Sequence, residues 1–316
     1  MKLVYSDRYS TDVGAHVLHM EAYQRVYDAL IGRGLLGPAD VVEPEPVGWD
    51  DLALVHTPEY LLKTRLDGFG ASDLALLELP WTPAVAECFR MMTGGTILAA
   101  RLAVEAGARG RLEASATSAH PGAALAASAN IGGGLHHAFP SHGEGFCLYN
   151  DVAVAIRVLR RDGVIRRAAV IDVDVHQGNG TAFIFAGDPS VFTFSIHQEH
   201  NYPSAKPHGS LDIGLPDGAD DLEYLQALEP ALPAVFGDRP DLVFYIAGAD
   251  PFVEDQLGGL CLTREGLRGR DFMVLSAARA AGVPVAILLG GGYARRVEDT
   301  IAIHVATIEE ALRLGA

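Results

Sequence analysis

The segment AAVIDVDVHQGNG, residues 168–180, joins a β-strand pattern to side chains that commonly bind metal ions. Its first half is small and β-branched, as in a strand buried on both faces of a parallel sheet. Because side chains alternate along a strand, Asp172, Asp174 and His176 are expected on one face. Burying two carboxylates and an imidazole is costly unless a cation or hydrogen bonds neutralise them. The pattern predicts a divalent metal site, with a metal-free hydrogen-bond network as the alternative.

A third candidate ligand is Asp250, in YIAGADPFVEDQLGG, which follows an apolar run and precedes Pro251. Taken alone, Asp250 is more typical of a turn or a helix N-cap. Together with Asp174 and His176 it would give three ligands and an open coordination position, the arrangement of catalytic zinc. Carboxylate oxygen with imidazole nitrogen favours Zn²⁺ or another first-row metal such as Fe²⁺, whereas calcium and magnesium usually take oxygen alone.

Apolar runs elsewhere in the chain are predicted to form further buried strands, with helical patterns between them. Strands that alternate with helices favour an α/β fold, a mostly parallel central sheet flanked by helices on both faces. No repeat or linker divides the sequence, so we expect a single domain over residues 1–316. The predicted strands are Leu3–Tyr5, Ala168–Val175, Val191–Ile196, Leu242–Ile246 and Val283–Leu289, and the predicted helices include Met20–Leu30, Thr93–Glu105, Val152–Arg160, Tyr224–Val235 and Thr263–Ala281.

Two glycine-rich segments carry further candidate residues. In NIGGGLHHAFPSHGEGFCLYND, residues 130–151, the adjacent His136 and His137 follow three glycines, and imidazoles suit proton transfer near neutral pH. His142, in the same segment, is expected to be incidental. In LLGGGYARR, a turn of three glycines would let Tyr293 hydrogen-bond a developing oxyanion, with a phosphate-binding turn as the alternative. The sequence has no Gly-Lys pair and no GxSxG, which disfavours a Walker A loop and a nucleophile-elbow serine hydrolase.

The composition disfavours several other classes of protein. The 316 residues carry 24 Lys and Arg against 40 Asp and Glu, a net charge of −16, which disfavours binding to nucleic acid. The cysteines, Cys88, Cys147 and Cys261, form no CxxC pair and predict neither a disulfide framework nor a zinc ribbon. Asp7 and Arg8 interrupt any N-terminal signal sequence, and no long apolar run follows. We expect a soluble, cytoplasmic protein without membrane or nucleic-acid partners.

Four segments, taken in order along the chain, resemble the zinc-dependent histone deacetylase superfamily, which has the arginase-like α/β fold. They are GGGLHHAFPSHGEGFCLYND, IDVDVHQGNG, AGADPFVEDQLGG and LGGGY. The VHQGNG and DQLGGLCLTREGLRGRD segments are most similar to class IV deacetylases and their bacterial relatives. The resemblance implies metal ligands at Asp174, His176 and Asp250, the tandem histidines at His136 and His137, and the transition-state tyrosine at Tyr293.

The same resemblance implies supporting positions around this site. Asp172 corresponds to a buried aspartate that hydrogen-bonds the first histidine and helps to hold a structural K⁺. The walls of an acyl-lysine channel are implied at Gly145, Phe146 and Tyr202. The potassium site is implied by the backbone around Asp172, Asp174, His176, Ser195 and Ile196.

Two departures from the class I pattern bear on function. Asn179 stands where class I members have an aspartate beside the second histidine. An amide stabilises imidazolium less than a carboxylate does, so His137 is expected to be less basic here. The loop Glu78–Pro83 replaces a rim that carries a substrate-clamping aspartate in class I, and Glu78 is the acidic residue available in its place.

The resemblance implies an amidohydrolase that removes acetyl or longer acyl groups from Nε-acyl-lysine in peptides or proteins by attack of a metal-activated water. A small acylated amine, such as an acetylpolyamine, is the alternative substrate. A binuclear arginase-like site is disfavoured because Gly178 stands where a further aspartate ligand is needed. A catalytically inactive binding module is also disfavoured, because the three ligands and Tyr293 are all present. The oligomeric state stays open.

Overall fold

The computed structural model of the chain describes residues 1–66, 68–117 and 124–316, with residues 113–117 described by their backbone alone. Its strands are β1 (Lys2–Val4), β2 (Val41–Val42), β3 (Ala127–Asn130), β4 (Ala168–Asp172), β5 (Val191–Gln198), β6 (Leu211–Leu215), β7 (Leu242–Ile246) and β8 (Val285–Leu288). They form one sheet in the order β2-β1-β3-β8-β7-β4-β5-β6, and each neighbouring pair is parallel. The predicted α/β fold with a parallel central sheet is confirmed.

Helices cover both faces of this sheet. The residues of the central strands β3, β8, β7 and β4 are accordingly all buried. No helix of the described residues is long and apolar enough to cross a lipid bilayer. The α-helices are α1 (Glu21–Gly32), α2 (Trp49–Leu52), α3 (Pro58–Arg65), α4 (Ala71–Leu77), α5 (Pro83–Thr117), α6 (Asp151–Arg161), α7 (Asn179–Ile184), α8 (Asp221–Leu228), α9 (Leu232–Gly237), α10 (Arg264–Ala281) and α11 (Val297–Leu314).

Capping residues set the ends of α6 and α10. The Asn150 side chain accepts a hydrogen bond from the backbone N–H of Ala153 and so caps α6. The Thr263 hydroxyl caps α10 in the same way, by accepting from Gly266. At the other end of α10, Gly282 takes the left-handed conformation of a helix C-cap. These caps fix where the helices begin and end relative to the strand termini.

The β4 strand is shorter than the prediction Ala168–Val175, because it ends at Asp172. Beyond that residue the backbone turns, and the N–H of Val175 donates to the side chain of Asp250 at 2.9 Å instead of to a neighbouring strand. The predicted strand therefore extends three residues past the observed end of β4. Asp174 and His176 lie in the bent segment after β4, and their side chains are in contact there.

The predicted helix Tyr224–Val235 is also different in the structure. It is divided into α8, a 3-10 turn and α9, because Pro230 and Pro233 cannot continue an α-helical hydrogen-bond ladder. The long α5 extends well beyond the predicted Thr93–Glu105 at both ends. The strands β2, β3 and β6 and the helices α2, α3, α4, α7 and α11 are not among the predicted elements.

The buried guanidinium of Arg270, on α10, bonds to the loops at the carboxyl edge of the sheet. Arg270 is fully buried and donates to the backbone carbonyl oxygens of Gly248 at 2.6 Å and Val173 at 3.4 Å. Its guanidinium also pairs with Asp271, at 2.8 Å. Buried charges require this kind of pairing. The loops that follow β4 and β7 are therefore tied to the same side chain.

Candidate metal centre

Asp174, His176 and Asp250 converge at the carboxyl edge of the sheet, as predicted. Each offers one ligand atom, these atoms lie within 4.8 Å of one another, and all three residues are buried. Nδ1 of His176 lies 2.9 Å from Oδ1 of Asp174 and 3.5 Å from Oδ2 of Asp250. Oδ2 of Asp250 is buried without a hydrogen-bond partner. An unpaired buried carboxylate oxygen is costly, and a bound cation would remove that cost. The three residues fit a divalent metal ion.

A glycine at the end of the neighbouring strand is needed for this convergence. Gly291 follows β8 and has φ +62°, in the left-handed region that favours glycine. A Cβ atom at this position would collide with the carboxylate oxygens of Asp174 and Asp250. The glycine turn predicted to lie at the strand edge thus forms one wall of the metal centre.

Without a cation, the charges of the cluster are balanced by protons. Burial and the nearby charge of Asp174 raise the pKa of Asp250 to about 7. Burial on its own would lower the pKa of His176, but hydrogen bonds and charges from both aspartates raise it to about 10. A divalent ion would therefore replace a proton on His176 when it binds.

His136 is paired with a carboxylate. Its Nδ1 donates to Oδ2 of Asp172 at 2.7 Å, and both side chains are buried. Burial alone would lower the pKa of His136, but the charges of Asp172 and Asp174 raise it to about 9. Asp172, at the end of β4, therefore holds His136 in its protonated state at neutral pH. This contact is the one that the family resemblance implies for Asp172.

His137 is paired with an amide. Its Nδ1 lies 2.7 Å from Oδ1 of Asn179, the first residue of α7. Burial and the positive charges of His136 and His176 lower the pKa of His137 well below its ordinary value. His137 is consequently neutral at pH 7, with a lone pair available for proton transfer. The sequence prediction of a less basic second histidine agrees with this direction.

Tyr293 lies in the glycine turn after β8, facing the cavity beside Phe146, with ring centroids 5.7 Å apart. Burial and the charges of Asp174 and Asp250 raise the pKa of Tyr293 well above its ordinary value. Its hydroxyl therefore stays protonated and can donate a hydrogen bond. The backbone N–H of Tyr293 donates to Asp255 at 2.6 Å, a contact that sequence reasoning missed although Asp255 lies in one of the quoted segments.

A cavity of about 210 Å³ leads to these groups. The predicted channel residues Gly145, Phe146 and Tyr202 all line it. Tyr202 packs edge-on against His137, with ring centroids 5.1 Å apart. Gly145 has φ +52°, and a Cβ atom there would lie 2.8 Å from the ring of His137. Also lining the cavity are the rim residue Glu78 and the apolar residues Leu18, Tyr23, Phe89, Leu135 and Cys147.

The residues predicted to surround a potassium ion lie next to the metal centre. Asp172 and Ser195 are paired in register on β4 and β5, and both line a second, small cavity. The hydroxyl of Ser195 lies 2.9 Å from Nδ1 of His197. Ile196 follows on β5 and is fully buried. The structure brings these residues together, and the ion itself stays a prediction.

Glu144 is a site residue that sequence reasoning missed. Its Oε1 accepts hydrogen bonds from Nδ2 of Asn179 at 2.7 Å and from the hydroxyl of Tyr202 at 3.0 Å. Its Oε2 lies 3.1 Å from Nε2 of His142. No sequence signal distinguishes this glutamate, because two of its partners, Asn179 and Tyr202, come from separate segments that only the fold brings together.

The parallel sheet and the buried Asp-His-Asp cluster at its carboxyl edge define the arginase/deacetylase class of fold. A model of the histone deacetylase domain matches residues 16–308. The chain is 40% identical over 304 residues to an uncharacterized protein of Picosynechococcus sp., covering 96% of this chain and 95% of that protein. It is 30% identical over 319 residues to histone deacetylase 2 of Arabidopsis thaliana, covering 95% and 78% respectively.

The structural comparison agrees with the sequence comparisons. The crystal structure of an HDAC homolog complexed with SAHA superimposes with a TM-score of 0.78 at 25% identity, covering 99% of this chain and 84% of that one. The chain belongs to the histone deacetylase family. Its activity is accordingly that of a deacetylase-type amidohydrolase.

Proposed function

We propose that the protein is a zinc-dependent deacylase that removes acetyl or longer acyl groups from Nε-acyl-lysine. The observation that carries this proposal is the buried cluster of Asp174, His176 and Asp250 beside the two histidines, with an orphaned oxygen on Asp250. Mixed oxygen and nitrogen ligands favour zinc, with ferrous iron as the alternative. The chemistry that the ion supplies when bound is polarisation of the acyl carbonyl and activation of water for attack.

The side chains of this chain divide the remaining work. His137, neutral at pH 7, accepts a proton at Nε2 as water attacks the acyl carbon, and later returns it to the leaving amine. His136 stays protonated because of Asp172 and supplies positive charge next to the reacting centre. The Tyr293 hydroxyl donates to the developing oxyanion. Asn179 accepts from Nδ1 of His137 and so leaves Nε2 free for the proton transfer.

The shape and charge of the cavity support an acyl-lysine substrate. Phe146 and Tyr202 provide aromatic walls for an extended aliphatic side chain, and the other apolar residues that line the same cavity suit an acyl chain. The amine product is a cation, and the net charge of −16 favours cationic substrates. Glu78 adds a carboxylate at the cavity rim. We also propose a structural K⁺ beside Ser195, membership of class IV of the histone deacetylases, and a cytoplasmic location.

The test is turnover by zinc-loaded protein on one lysine peptide carrying acyl groups from acetyl to myristoyl, with acetylputrescine and acetylspermidine in parallel. We expect release of the carboxylic acid and conversion of the acyl-lysine to an unmodified lysine residue in the peptide, and Asp250→Asn should abolish this reaction. Faster turnover of the acetylpolyamines than of every acyl peptide would assign the small-molecule alternative instead. No acyl release from any compound, with one zinc bound per chain, would overturn the proposal.

A further inference from the structure

We propose that Glu144 is a positioning residue that fixes the orientation of Asn179 and, through it, the tautomer of His137. The inference rests on the proposed function and adds a residue to it. Glu144 touches neither the metal ligands nor Tyr293. It acts on the reaction through the hydrogen bonds that it accepts from Asn179 and Tyr202.

The two ends of the Asn179 side chain face different partners. An ionised carboxylate only accepts hydrogen bonds, so the group that faces Glu144 at 2.7 Å must be the amide nitrogen of Asn179. The amide oxygen is then directed toward Nδ1 of His137, 2.7 Å away. The backbone N–H of Gly180, at 3.0 Å, donates to the same oxygen and supports this orientation.

The orientation of the amide decides which nitrogen of His137 carries the proton. An amide oxygen only accepts, so Nδ1 of His137 must be the protonated nitrogen, and Nε2 keeps the lone pair. A reversed amide would present Asn179 Nδ2 to the ring and favour protonation at Nε2. That tautomer cannot accept a proton at Nε2. The Glu144 carboxylate therefore determines, through Asn179, whether Nε2 of His137 can accept a proton.

Glu144 is itself held firmly enough to serve as a reference point. Its backbone exchanges two hydrogen bonds with Cys147, and the next two N–H groups, of Gly145 and Phe146, donate to α4. Partial burial on its own would raise its pKa, but hydrogen bonds from His142, Asn179 and Tyr202 lower it below the ordinary value. Glu144 is therefore ionised at neutral pH and can only accept.

The same carboxylate links the base to the channel wall. The Tyr202 hydroxyl donates to the oxygen of Glu144 that also accepts from Asn179, and the Tyr202 ring packs against His137. Asn179 is 2% exposed, so its nitrogen has little access to water if Glu144 is removed. A buried donor without an acceptor favours another arrangement of the side chain.

The experiment compares Glu144→Leu, which has no acceptor, with Glu144→Gln, which keeps a neutral one. We expect the Leu variant to lower kcat about tenfold with KM changed less than about threefold, the size expected for one buried unsatisfied group. The Gln variant should recover most of this loss. Glu310→Leu is the matched control, because Glu310 on α11 is a buried carboxylate paired with Arg268 on α10 and Arg313 on α11, outside the metal centre.

A second background separates positioning from packing. In Asn179→Asp, both oxygens of residue 179 accept, so no amide remains to be oriented. There, Glu144→Leu should cost less than about twofold, or increase kcat by removing a like charge. An equal loss in both backgrounds would show that Glu144 acts only through packing and would overturn the inference.

The tautomer is read directly by ¹⁵N NMR of the His137 ring in metal-free protein. We expect protonation at Nδ1 in the parent and in Glu144→Gln, and a shift toward Nε2 protonation in Glu144→Leu. An unchanged tautomer together with unchanged kcat in Glu144→Leu would overturn the inference. If the parent releases no acyl group, the proposed function fails, while the NMR comparison still decides the role of Glu144.

Discussion

The two adjacent histidines show how the partner of an imidazole decides its role. His136 and His137 are both buried, their rings are 4.0 Å apart, and each presents Nδ1 to an oxygen 2.7 Å away. The oxygen beside His136 belongs to a carboxylate, Asp172, and the pKa of His136 rises. The oxygen beside His137 belongs to an amide, Asn179, and the pKa of His137 falls. One histidine holds a proton, and the other is free to accept one.

Removing each histidine in turn tests the different roles of His136 and His137 and should give the largest effect. We expect His137→Ala to lower kcat by about 10²- to 10⁴-fold, the range associated with loss of a general base. His136→Ala should cost less, on the order of tenfold, because His136 supplies charge and does not transfer the proton. Both are measured on one acyl-lysine peptide, with zinc content as the control. An equal or larger loss in the His136 variant would reverse the assignment.

The variant Tyr293→Phe removes a hydroxyl group that belongs to neither histidine pair. Loss of one oxyanion donor lowers kcat by about 10²- to 10³-fold. Because both histidines keep their partners, the acidic limb of the kcat/KM profile against pH should stay where it is in the parent. A displaced limb would show that Tyr293 acts on the basicity of His137 and not on the oxyanion.

Asn179→Asp would make the two pairs alike. A carboxylate beside His137 favours its imidazolium form and raises its pKa, by about one unit or more. Since the base must be neutral to accept a proton, the acidic limb of kcat/KM should move to higher pH, with about tenfold less activity at pH 6. The pH profile of the variant is compared with that of Asn179→Ser, which adds no charge. Coincident limbs in the two variants would contradict the explanation.

The smallest effect concerns the third histidine of the site. The pKa of His176 is raised to about 10, so His176 carries a proton at pH 7 that a metal ion must displace. We expect zinc binding to release about one proton per ion, measured by calorimetry in buffers of different ionisation enthalpy. Zinc affinity should rise from pH 6 to pH 8, because the falling proton concentration competes less for His176 and because Asp250, with a pKa of about 7, loses its proton over this range. Binding without proton release would refute this description of the metal-free cluster.

The sequence predicted the site better than it predicted the local structure that forms it. Asp174, His176 and Asp250 could be found because acids and imidazoles directly after buried strands have few purposes other than binding. The predicted extent of the strand was nevertheless wrong, because β4 ends at Asp172 and the backbone bends beyond it. Turn geometry depends on hydrogen bonds to residues distant in sequence, here Asp250.

Other elements could not be predicted because their sequences carry no local signal. The β3 segment ASAN consists of small and polar residues, and it becomes a strand only because β1 and β8 lie on either side. Glu144 could not be predicted for a similar reason, since its hydrogen-bond partners Asn179 and Tyr202 lie in distant segments of the sequence. Tertiary contacts decide both cases.

The buried Arg270 implies that the metal centre is organised before any ion arrives. Its guanidinium donates to the carbonyl groups of Val173, next to Asp174, and of Gly248, two residues before Asp250. The spacing between the two ligand loops is thus maintained by a permanent internal cation. Chelation should accordingly inactivate the protein while leaving its thermal unfolding cooperative, and re-addition of the ion should restore activity without refolding.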